Sequence, residues 1–140
     1  MVQRTFSIIK PDAVRKGAAG AILAALDNAG FNFVAMKKAT ISMSQAEGFY
    51  SVHAGKPFFP PLCEFMASGP LYLLVLEKED AVAELRKLMG ATDSSKAEEG
   101  TLRKIFGNPA VIRENAIHGS DSEESAAAEI GYWFAGYELL

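Results

Sequence analysis

Three runs of β-favouring residues in this chain are separated by segments whose apolar residues recur at helical spacing. The runs are Thr5–Ile9, Phe31–Ile41 and Leu71–Leu76, and the last holds six consecutive residues without a charge. Runs of this kind are typical of buried strands. Strands that alternate with helices predict an α/β sandwich with helices against a small sheet, and a ferredoxin-like fold has this order. A Rossmann-type parallel sheet is the alternative, because periodicity alone does not separate the two.

Six segments are predicted to be helical. They are Ala18–Ala29, Ser44–His53, Phe58–Ala67, Ala81–Met89, Thr101–Phe106 and a final helix that begins at Asp121. Ser44 and Glu47 have the spacing of a capping box, which predicts that the second helix starts at Ser44. Asp121 opens an acidic first turn, which the helix dipole favours. The residues of the final helix expected to face the core recur at helical spacing: Ala126, Ile130 and Phe134.

The composition is that of one globular domain, residues 1–140, without a linker, a repeat or a charge block. Hydrophobic residues make up 49% and charged residues 22%, which excludes wholesale disorder. One cysteine, Cys63, allows no internal disulfide, and with only His53 and His118 it forms no Cys/His zinc cluster. The sequence shows neither a leader segment nor a run approaching about 20 apolar residues. These features predict a cytoplasmic protein with no membrane partner.

The net charge of −3 argues against general nucleic-acid binding, although it leaves room for a small basic pocket. The two common glycine-rich phosphate motifs, GxxxxGK[ST] and GxGxxG, are absent from the sequence. The segment Arg15–Gly20 places two cations at a helix start, and we interpret it as a solvated helix entry. A nucleotide site in this chain would therefore work without a glycine cradle.

The segment Asn115–Ser125 is the most informative about chemistry. His118 is followed by Gly119, which removes a side chain beside the imidazole, and by Ser120, whose hydroxyl can donate to a nearby oxygen. Glu129 follows about two turns into the final helix, at the border of its buried face. A carboxylate there can bond one imidazole nitrogen and leave the other with its lone pair free. Such an oriented neutral imidazole is a candidate nucleophile for covalent catalysis.

Several motifs in this chain resemble those of the nucleoside diphosphate kinase family. NAIHGSDSEES matches the Asn-x-x-His-Gly-Ser-Asp signature of that family. Five further motifs stand in the family's order, from residue 5 almost to the C-terminus: SIIKPDAV, EGFYSVHAGKPFF, SGPLYLLVLE, LMGATD and EEGTLR. The length resembles the short bacterial form. The resemblance implies a ferredoxin-like sandwich with a four-stranded antiparallel sheet, which decides between the two structural alternatives.

The resemblance also implies a reaction and its catalytic residues. The family transfers the γ-phosphate of a nucleoside triphosphate, mainly ATP, to a nucleoside diphosphate through a phosphohistidine, with broad tolerance of base and sugar. By motif position, His118 would be the nucleophile, Glu129 its orienting carboxylate and Ser120 a hydrogen-bond partner in the same site. Lys10 would reach the ribose hydroxyls and phosphates. Tyr50 would lie beside the histidine and help to place the phosphate.

A second set of residues would hold the nucleotide. Phe58 would form the stacking face for the base, and Asn115 would bind the sugar edge. Arg86, Thr92 and Arg103 would grip the phosphates, because phosphoryl transfer depends mostly on positioning and on neutralising charge. Magnesium would arrive with the nucleotide, held by phosphate oxygens, water and at most a carboxylate such as Asp121. The family assembles as dimers that build tetramers or hexamers, so a homo-oligomer is expected.

The chain departs from the family pattern at a few positions. Asp93-Ser94 follows the Gly-Ala-Thr where Asn-Pro is frequent, Glu99 replaces a proline, and Ala54 stands where an acidic residue is common. The segment between Arg103 and Asn115 is slightly longer than usual, and no residue role is carried over there. These changes leave an alternative open, namely a catalytically impaired nucleotide-binding or interaction module on the same fold.

Overall fold

The structure, a computed structural model, describes residues 1–140. The strands are β1 (Val2–Ile9), β2 (Asn32–Ala39), β3 (Leu71–Glu79) and β4 (Ile117–Gly119). The α-helices are α1 (Pro11–Arg15), α2 (Ala19–Asn28), α3 (Met43–Phe49), α4 (Phe59–Met66), α5 (Ala81–Met89), α6 (Leu102–Phe106) and α7 (Glu123–Trp133). The strands form one sheet in the order β2-β3-β1-β4, and every neighbouring pair is antiparallel. The ferredoxin-like prediction is confirmed, and the parallel alternative is wrong.

The sheet is covered on both faces, which explains the uncharged run in β3. Leu74 and Leu76 pack with α2 and α5 on one face, whereas Leu73 and Val75 pack with α3, α4 and α7 on the other. Because successive side chains of a strand point to opposite faces, a strand buried on both sides needs apolar residues at every position. All four of these side chains are buried.

The short strand β4 lies at one edge of the sheet and pairs only with β1. Its register places His118 opposite Ile8, between the pairs Ser7–Gly119 and Ile9–Ile117. Ile8 is fully buried in the same core cluster as α7 residue Ile130. This pairing fixes the backbone of His118 to the most buried part of the sheet.

Several element boundaries differ from the sequence predictions. The helix predicted to start at Ser44 begins at Met43, because the capping box is formed by Ser42 and Gln45 instead. The Ser42 hydroxyl accepts from the Gln45 amide at 3.0 Å, and the Gln45 side chain accepts from the Ser42 amide at 2.8 Å. The helix ends at Phe49 and a 3₁₀ turn follows at Ser51–His53, so the predicted end at His53 is also wrong.

The residue patterns alone predicted neither the strand β4 nor the helix α1. His118 lies on β4, whose three residues are too few to show a period in the sequence. The short helix α1 directly follows β1, and its proline at the first turn needs no amide partner there. The final helix was predicted from Asp121, whereas Ser122 is its N-cap and α7 begins at Glu123.

No helix in the structure has both the length and the apolar character needed to cross a membrane.

Candidate active site

His118 is held by a carboxylate from the last helix. Its Nε2 lies 2.7 Å from Oε1 of Glu129, and both side chains are about one-fifth exposed. An ionised carboxylate only accepts hydrogen bonds. Nε2 therefore carries the ring hydrogen and donates a hydrogen bond to Glu129. The lone pair of His118 is therefore on Nδ1, the nitrogen that makes no protein hydrogen bond.

Ser120 is a buried residue that hydrogen-bonds to Glu129. Its hydroxyl donates to the same Oε1 of Glu129 at 2.9 Å, and its backbone amide donates to the Phe6 carbonyl at 3.1 Å. The side chain is fully buried, so this contact is shielded from solvent. Ser120 therefore affects His118 indirectly, by holding the Glu129 carboxylate that bonds the imidazole.

The structure explains the glycine at position 119 by core packing and not by access to the imidazole. A Cβ atom built on Gly119 would lie 2.6 Å from the Met89 sulfur and 3.0 Å from a Leu85 methyl carbon. Residues 118 and 119 point to opposite faces of β4, so Gly119 faces α5 and the core, not the approach to the imidazole. The expectation that Gly119 leaves space beside the imidazole is therefore wrong.

Two phenylalanine rings enclose His118, and the sequence analysis did not identify either. Phe49 meets the imidazole edge-on, with ring centroids 5.7 Å apart and an interplanar angle of 74°, and Phe6 is tilted against it at 6.0 Å. Phe49 also contacts Tyr50, the neighbour that the motif had singled out. Its position beside Tyr50 in EGFYSVH was the available signal.

Lys10 is buried at the end of β1 without a carboxylate in hydrogen-bond contact. Its Nζ donates to Oδ1 of Asn115 at 2.8 Å and to the Arg113 carbonyl at 2.7 Å, and it lies 5.4 Å from the centre of the Phe65 ring. Burial lowers the pKa of Lys10 to about 7, while the charge of Asp12 opposes this shift. An incoming anion would restore the charged form.

Asn115 links Lys10 to the loop after α5. Its Nδ2 donates to the Thr92 carbonyl at 2.9 Å while its Oδ1 accepts from Lys10. The amide is therefore oriented by both partners, and Asn115 is only 3% exposed. Thr92 itself is exposed at the rim.

Arg103 is a second buried cation with only neutral partners. Its guanidinium donates to the carbonyls of Gly90 at 3.2 Å and Ile117 at 2.8 Å. Burial, and then the positive charge of Arg86, lower the pKa of Arg103 to about 10. Arg86 is exposed on α5 and has no side-chain hydrogen bond to the protein. Two neighbouring cations without a carboxylate partner favour the binding of an anion.

Tyr50 supplies a neutral hydroxyl. Burial raises the pKa of Tyr50, and the negative charge of Glu129 raises it further. The phenol therefore keeps its proton at physiological pH and can donate a hydrogen bond.

A cleft of about 840 Å³ joins most of the predicted residues. Its lining includes Lys10, Tyr50, Phe58, Thr92, Arg103, Asn115 and His118. Glu129 and Ser120 lie behind His118 and do not line it, and Arg86 and Asp121 are exposed outside it. Arg15 and Lys16 also lie outside it and contact Ser68 and the Phe106 carbonyl instead.

The cleft also contains residues that the sequence analysis did not identify. They are Pro61 and Leu62 and the segment 110–113, all of which line the cleft together with Phe58. That segment belongs to the part of the chain for which no role was carried over. Ile112 is 56% exposed in the structure, and the sequence carried no signal of its position in the cleft.

No group of three or more His, Cys, Asp and Glu side chains is arranged to hold a metal ion. Asp121 is the carboxylate that the sequence analysis had named. It accepts a hydrogen bond from the Ser125 hydroxyl at 2.7 Å, and this bond lowers the pKa of Asp121. The exposed, charged oxygen atoms suit a hard cation that brings most of its own ligands.

A histidine with one bare nitrogen, presented to a cleft lined by buried cations, is the arrangement of an enzyme that transfers phosphoryl groups. Comparison with known proteins agrees with this class. A model of the family described as nucleoside diphosphate kinase matches residues 3–139. A nucleoside diphosphate kinase of Geobacter sp. (strain M21) is 54% identical over 139 residues, which cover 99% of this chain and 100% of the relative. One of Brucella canis is 52% identical over 139 residues, which cover 99% and 98%.

Two solved structures have the same fold. The nucleoside diphosphate kinase of Aquifex aeolicus, in an orthorhombic crystal form, superposes with a TM-score of 0.95 at 44% identity, and each chain is fully covered. The halophilic enzyme of Halobacterium salinarum, in complex with CDP, superposes with a TM-score of 0.94 at 39% identity. The superposition covers 100% of this chain and 92% of the Halobacterium chain.

The chain belongs to the nucleoside diphosphate kinase family. It is a phosphotransferase that moves a phosphoryl group from a nucleoside triphosphate to a nucleoside diphosphate. The alternative of a catalytically impaired binding module is not favoured.

Proposed function

We propose that His118 carries the phosphoryl group between the two nucleotides. One observation supports this assignment above the others: Glu129 occupies Nε2 at 2.7 Å, so Nδ1 is the unprotonated nitrogen of a ring that lines the cleft. An oriented neutral imidazole needs no further base before it attacks phosphorus.

The first half-reaction forms a bond from Nδ1 of His118 to the γ-phosphorus and breaks the bond from that phosphorus to the β,γ-bridging oxygen. The nucleoside diphosphate leaves with the electron pair on that oxygen. As Nδ1 donates its lone pair, the ring gains positive charge, which the Glu129 carboxylate stabilises through Nε2. The second half-reaction is the reverse, with a terminal phosphate oxygen of the acceptor diphosphate as nucleophile.

Lys10 and Arg103 neutralise the phosphates in this proposal. Both are buried cations whose protein partners are neutral carbonyl or amide oxygens, so a phosphate oxygen gives each its first negatively charged partner. Arg86 adds charge from the exposed side, and Thr92 contributes a hydroxyl at the rim. The protonated Tyr50 phenol donates to an oxygen of the transferring group beside His118. Charge neutralisation and positioning of this kind are the main terms in phosphoryl transfer.

The base lies between Phe58 and the segment 110–113 at the open end of the cleft. Phe58 is 49% exposed and lines the cleft, with His53 packed beside its ring at 5.2 Å and the Lys56 ammonium 5.7 Å from the ring centre. Stacking on a ring does not distinguish the bases, because every base has a π-face, so broad base tolerance is expected. Asn115 binds the sugar edge, next to Lys10. The complex of the Halobacterium salinarum relative with CDP supports a site for a nucleoside diphosphate.

Asp121 would contact magnesium that is carried by the nucleotide phosphates. Bound there, the ion would neutralise phosphate charge and fix the phosphate geometry. The remaining ligands would be phosphate oxygens and water, since the chain offers no cluster of three ligating side chains.

Labelling with γ-³²P-ATP tests the assignment. We expect an acid-labile, alkali-stable label on His118 that moves to GDP when GDP is added as a chase. His118→Gln should take up no label, while His53→Gln, at the only other histidine, should still be labelled. A labelled His118→Gln protein, or a label that GDP does not remove, would overturn the assignment.

Residues 1–140 act as one domain in this proposal, and copies of the chain associate through the free edge of the sheet. Strand β2 pairs only with β3, and a groove of about 360 Å³ beside it is lined by Leu23, Ala24, Asp27, Phe33 and Met36. Unpaired edges and apolar grooves are surfaces that association covers. The mass in sedimentation equilibrium should be that of a tetramer or hexamer, and Met36→Lys should lower it. A monomeric wild type would refute the proposal.

We place the enzyme in the cytoplasm, where nucleotide pools are maintained.

A further inference from the structure

Asp12 is a buried carboxylate that the proposed chemistry does not use. It lies in α1 and is 4% exposed, and it is not part of the cleft lining. Its Oδ2 accepts a hydrogen bond from the Ala116 amide at 3.0 Å, while Oδ1 has no hydrogen-bond partner. Burial raises the pKa of Asp12, and the nearby charge of Lys10 opposes this. Burying a carboxylate with one unpartnered oxygen costs free energy, so packing alone does not explain why an aspartate is present here.

The partner of Asp12 is a strained residue. Ala116 has a φ of +73°, which residues with a Cβ atom rarely adopt. The Ile117 amide donates to the Asn115 carbonyl at 2.9 Å, so Asn115, Ala116 and Ile117 form a γ-turn with Ala116 at its centre. This form of γ-turn is rare and persists only where the surroundings hold it.

Both backbone polar groups of Ala116 are held from the junction of β1 and α1. Its carbonyl accepts from the Lys10 amide at 2.9 Å, and its amide donates to Asp12. Ala116 is fully buried, so water cannot replace either contact. The carbonyl contact is a backbone bond that any residue at position 10 except proline would make. The contact to the amide depends on the side chain of residue 12.

The turn joins two residues of the proposed site. Asn115 precedes Ala116 and contacts Lys10 and Thr92, whereas His118 follows on β4. Relaxing Ala116 to a negative φ would redirect the chain between them, and so change the distance between the sugar-binding amide and the nucleophile.

We propose that Asp12 is a positioning residue that holds the Asn115–Ala116–Ile117 turn and thereby sets the spacing between Asn115 and His118. This inference rests on the proposed roles of those two residues. Asp12 then matters when the phosphoryl donor uses both residues at once. It matters little for a donor that meets His118 alone.

Two phosphoryl donors separate this role from general support of the fold. ATP engages both the sugar site and His118. Phosphoramidate has no sugar: its P–N bond breaks, ammonia leaves, and a bond forms from phosphorus to Nδ1 of His118. For Asp12→Ala we expect single-turnover labelling by ATP to slow by about 10- to 100-fold, while labelling by phosphoramidate stays within about twofold of wild type. Asp12→Asn retains an oxygen that accepts the Ala116 amide, and its rate with ATP should stay within about threefold.

A second substitution tests the strain directly. Glycine adopts positive φ without a Cβ penalty, so Ala116→Gly in the Asp12→Ala background should recover most of the lost rate with ATP. Asp12→Ser, whose hydroxyl is too short for the same contact, serves if Asp12→Ala does not fold, with the same expectations. Equal losses with both donors, an unchanged rate with ATP, or a loss in Asp12→Asn as large as in Asp12→Ala would each overturn the inference.

The failure of this inference and the failure of the proposed function are distinguishable. If the wild type forms no label on His118 with ATP, the proposed function fails and the inference fails with it. If the wild type is labelled and passes the label to GDP, but Asp12→Ala does so equally fast, only the role of Asp12 is refuted.

Discussion

Glu129 and His118 form a pair in which one carboxylate oxygen, 2.7 Å from Nε2, determines which nitrogen of the imidazole is free. The two residues come from different elements, β4 and α7, and Ser120 holds the same oxygen at 2.9 Å. The tautomer of His118 is therefore set by the packing of α7 on the sheet. Because the bond fixes orientation more than it adds to nucleotide binding, its removal should slow chemistry and spare affinity.

Glu129→Ala should form the phosphohistidine about 10- to 100-fold more slowly than wild type, with the Kd for ADP changed by less than about twofold. Glu129→Gln keeps an oxygen acceptor but not the charge, and it should fall between the two. Rapid-quench labelling gives the rate, and calorimetry gives the Kd. Glu124→Gln, an exposed carboxylate on the same helix, is the matched control and should behave as wild type. A weakened Kd with an unchanged rate would contradict this account.

Nucleotide affinity should fall as pH rises above neutrality because of Lys10. In the free protein the pKa of Lys10 is lowered to about 7, so the side chain loses its charge above that pH. A bound phosphate favours the protonated form, so binding takes up a proton, and the Kd for ADP should rise from about pH 7.5 to about pH 9, by at most tenfold per pH unit. Calorimetry in buffers of different ionisation enthalpy counts the protons taken up.

Lys10→Arg should remove most of this pH dependence, since a guanidinium stays charged across the range. Lys16→Arg, at a lysine that contacts the Phe106 carbonyl outside the cleft, should retain the wild-type slope. An equal slope in wild type and Lys10→Arg would show that another group takes up the proton.

Phe58→Ala should weaken the binding of all nucleotides to a similar extent. Loss of one base–aromatic stack costs about 1–3 kcal/mol, which corresponds to a rise in Kd of about 5- to 150-fold for ADP, GDP and CDP alike. Phe58→Tyr should restore binding because it keeps the ring. Val52→Ala removes a different exposed apolar side chain and should leave the Kd unchanged. A loss confined to one base would indicate hydrogen-bonded readout instead of stacking.

Gly119→Ala should destabilise the protein by about 1–3 kcal/mol, because its Cβ would lie 2.6 Å from the Met89 sulfur in a packed core. Gly131→Ala is the contrasting change: nothing lies within 4 Å of a Cβ there, and the helix α7 should gain about 0.5–1 kcal/mol. Chemical denaturation measures both. If Gly119→Ala were as stable as wild type but inactive, the glycine would be serving the cleft and not the core.

The sequence predicted the sheet and the chemistry better than the element boundaries. Leu71–Leu76 was recognisable because a strand covered on both faces must be apolar throughout, whereas β4 was missed because three residues show no period. The capping box was misplaced by two residues, since Ser42 with Gln45 and Ser44 with Glu47 have the same spacing. The structure forms the first of these two boxes, so α3 begins at Met43.

Contacts made across long sequence separations account for the rest of the site. The pairing of Lys10 with Asn115 spans 105 residues, and that of Asp12 with Ala116 spans 104. Neither pairing has a local signal, because no propensity or spacing describes which distant segments meet. The exposed segment around Ile112 was likewise invisible, since a loop residue that lines a cleft looks like any other loop residue until the opposite wall is known.

In the proposed mechanism, Nδ1 of His118 receives the phosphoryl group from every donor and passes it to every acceptor in one cleft. The donor and acceptor nucleotides therefore bind the same cleft one after the other, and each must dissociate before the other binds. A surplus of diphosphate will occupy the unphosphorylated enzyme and delay its reloading. The throughput of the enzyme thus depends on the ratio of triphosphate to diphosphate as well as on their amounts.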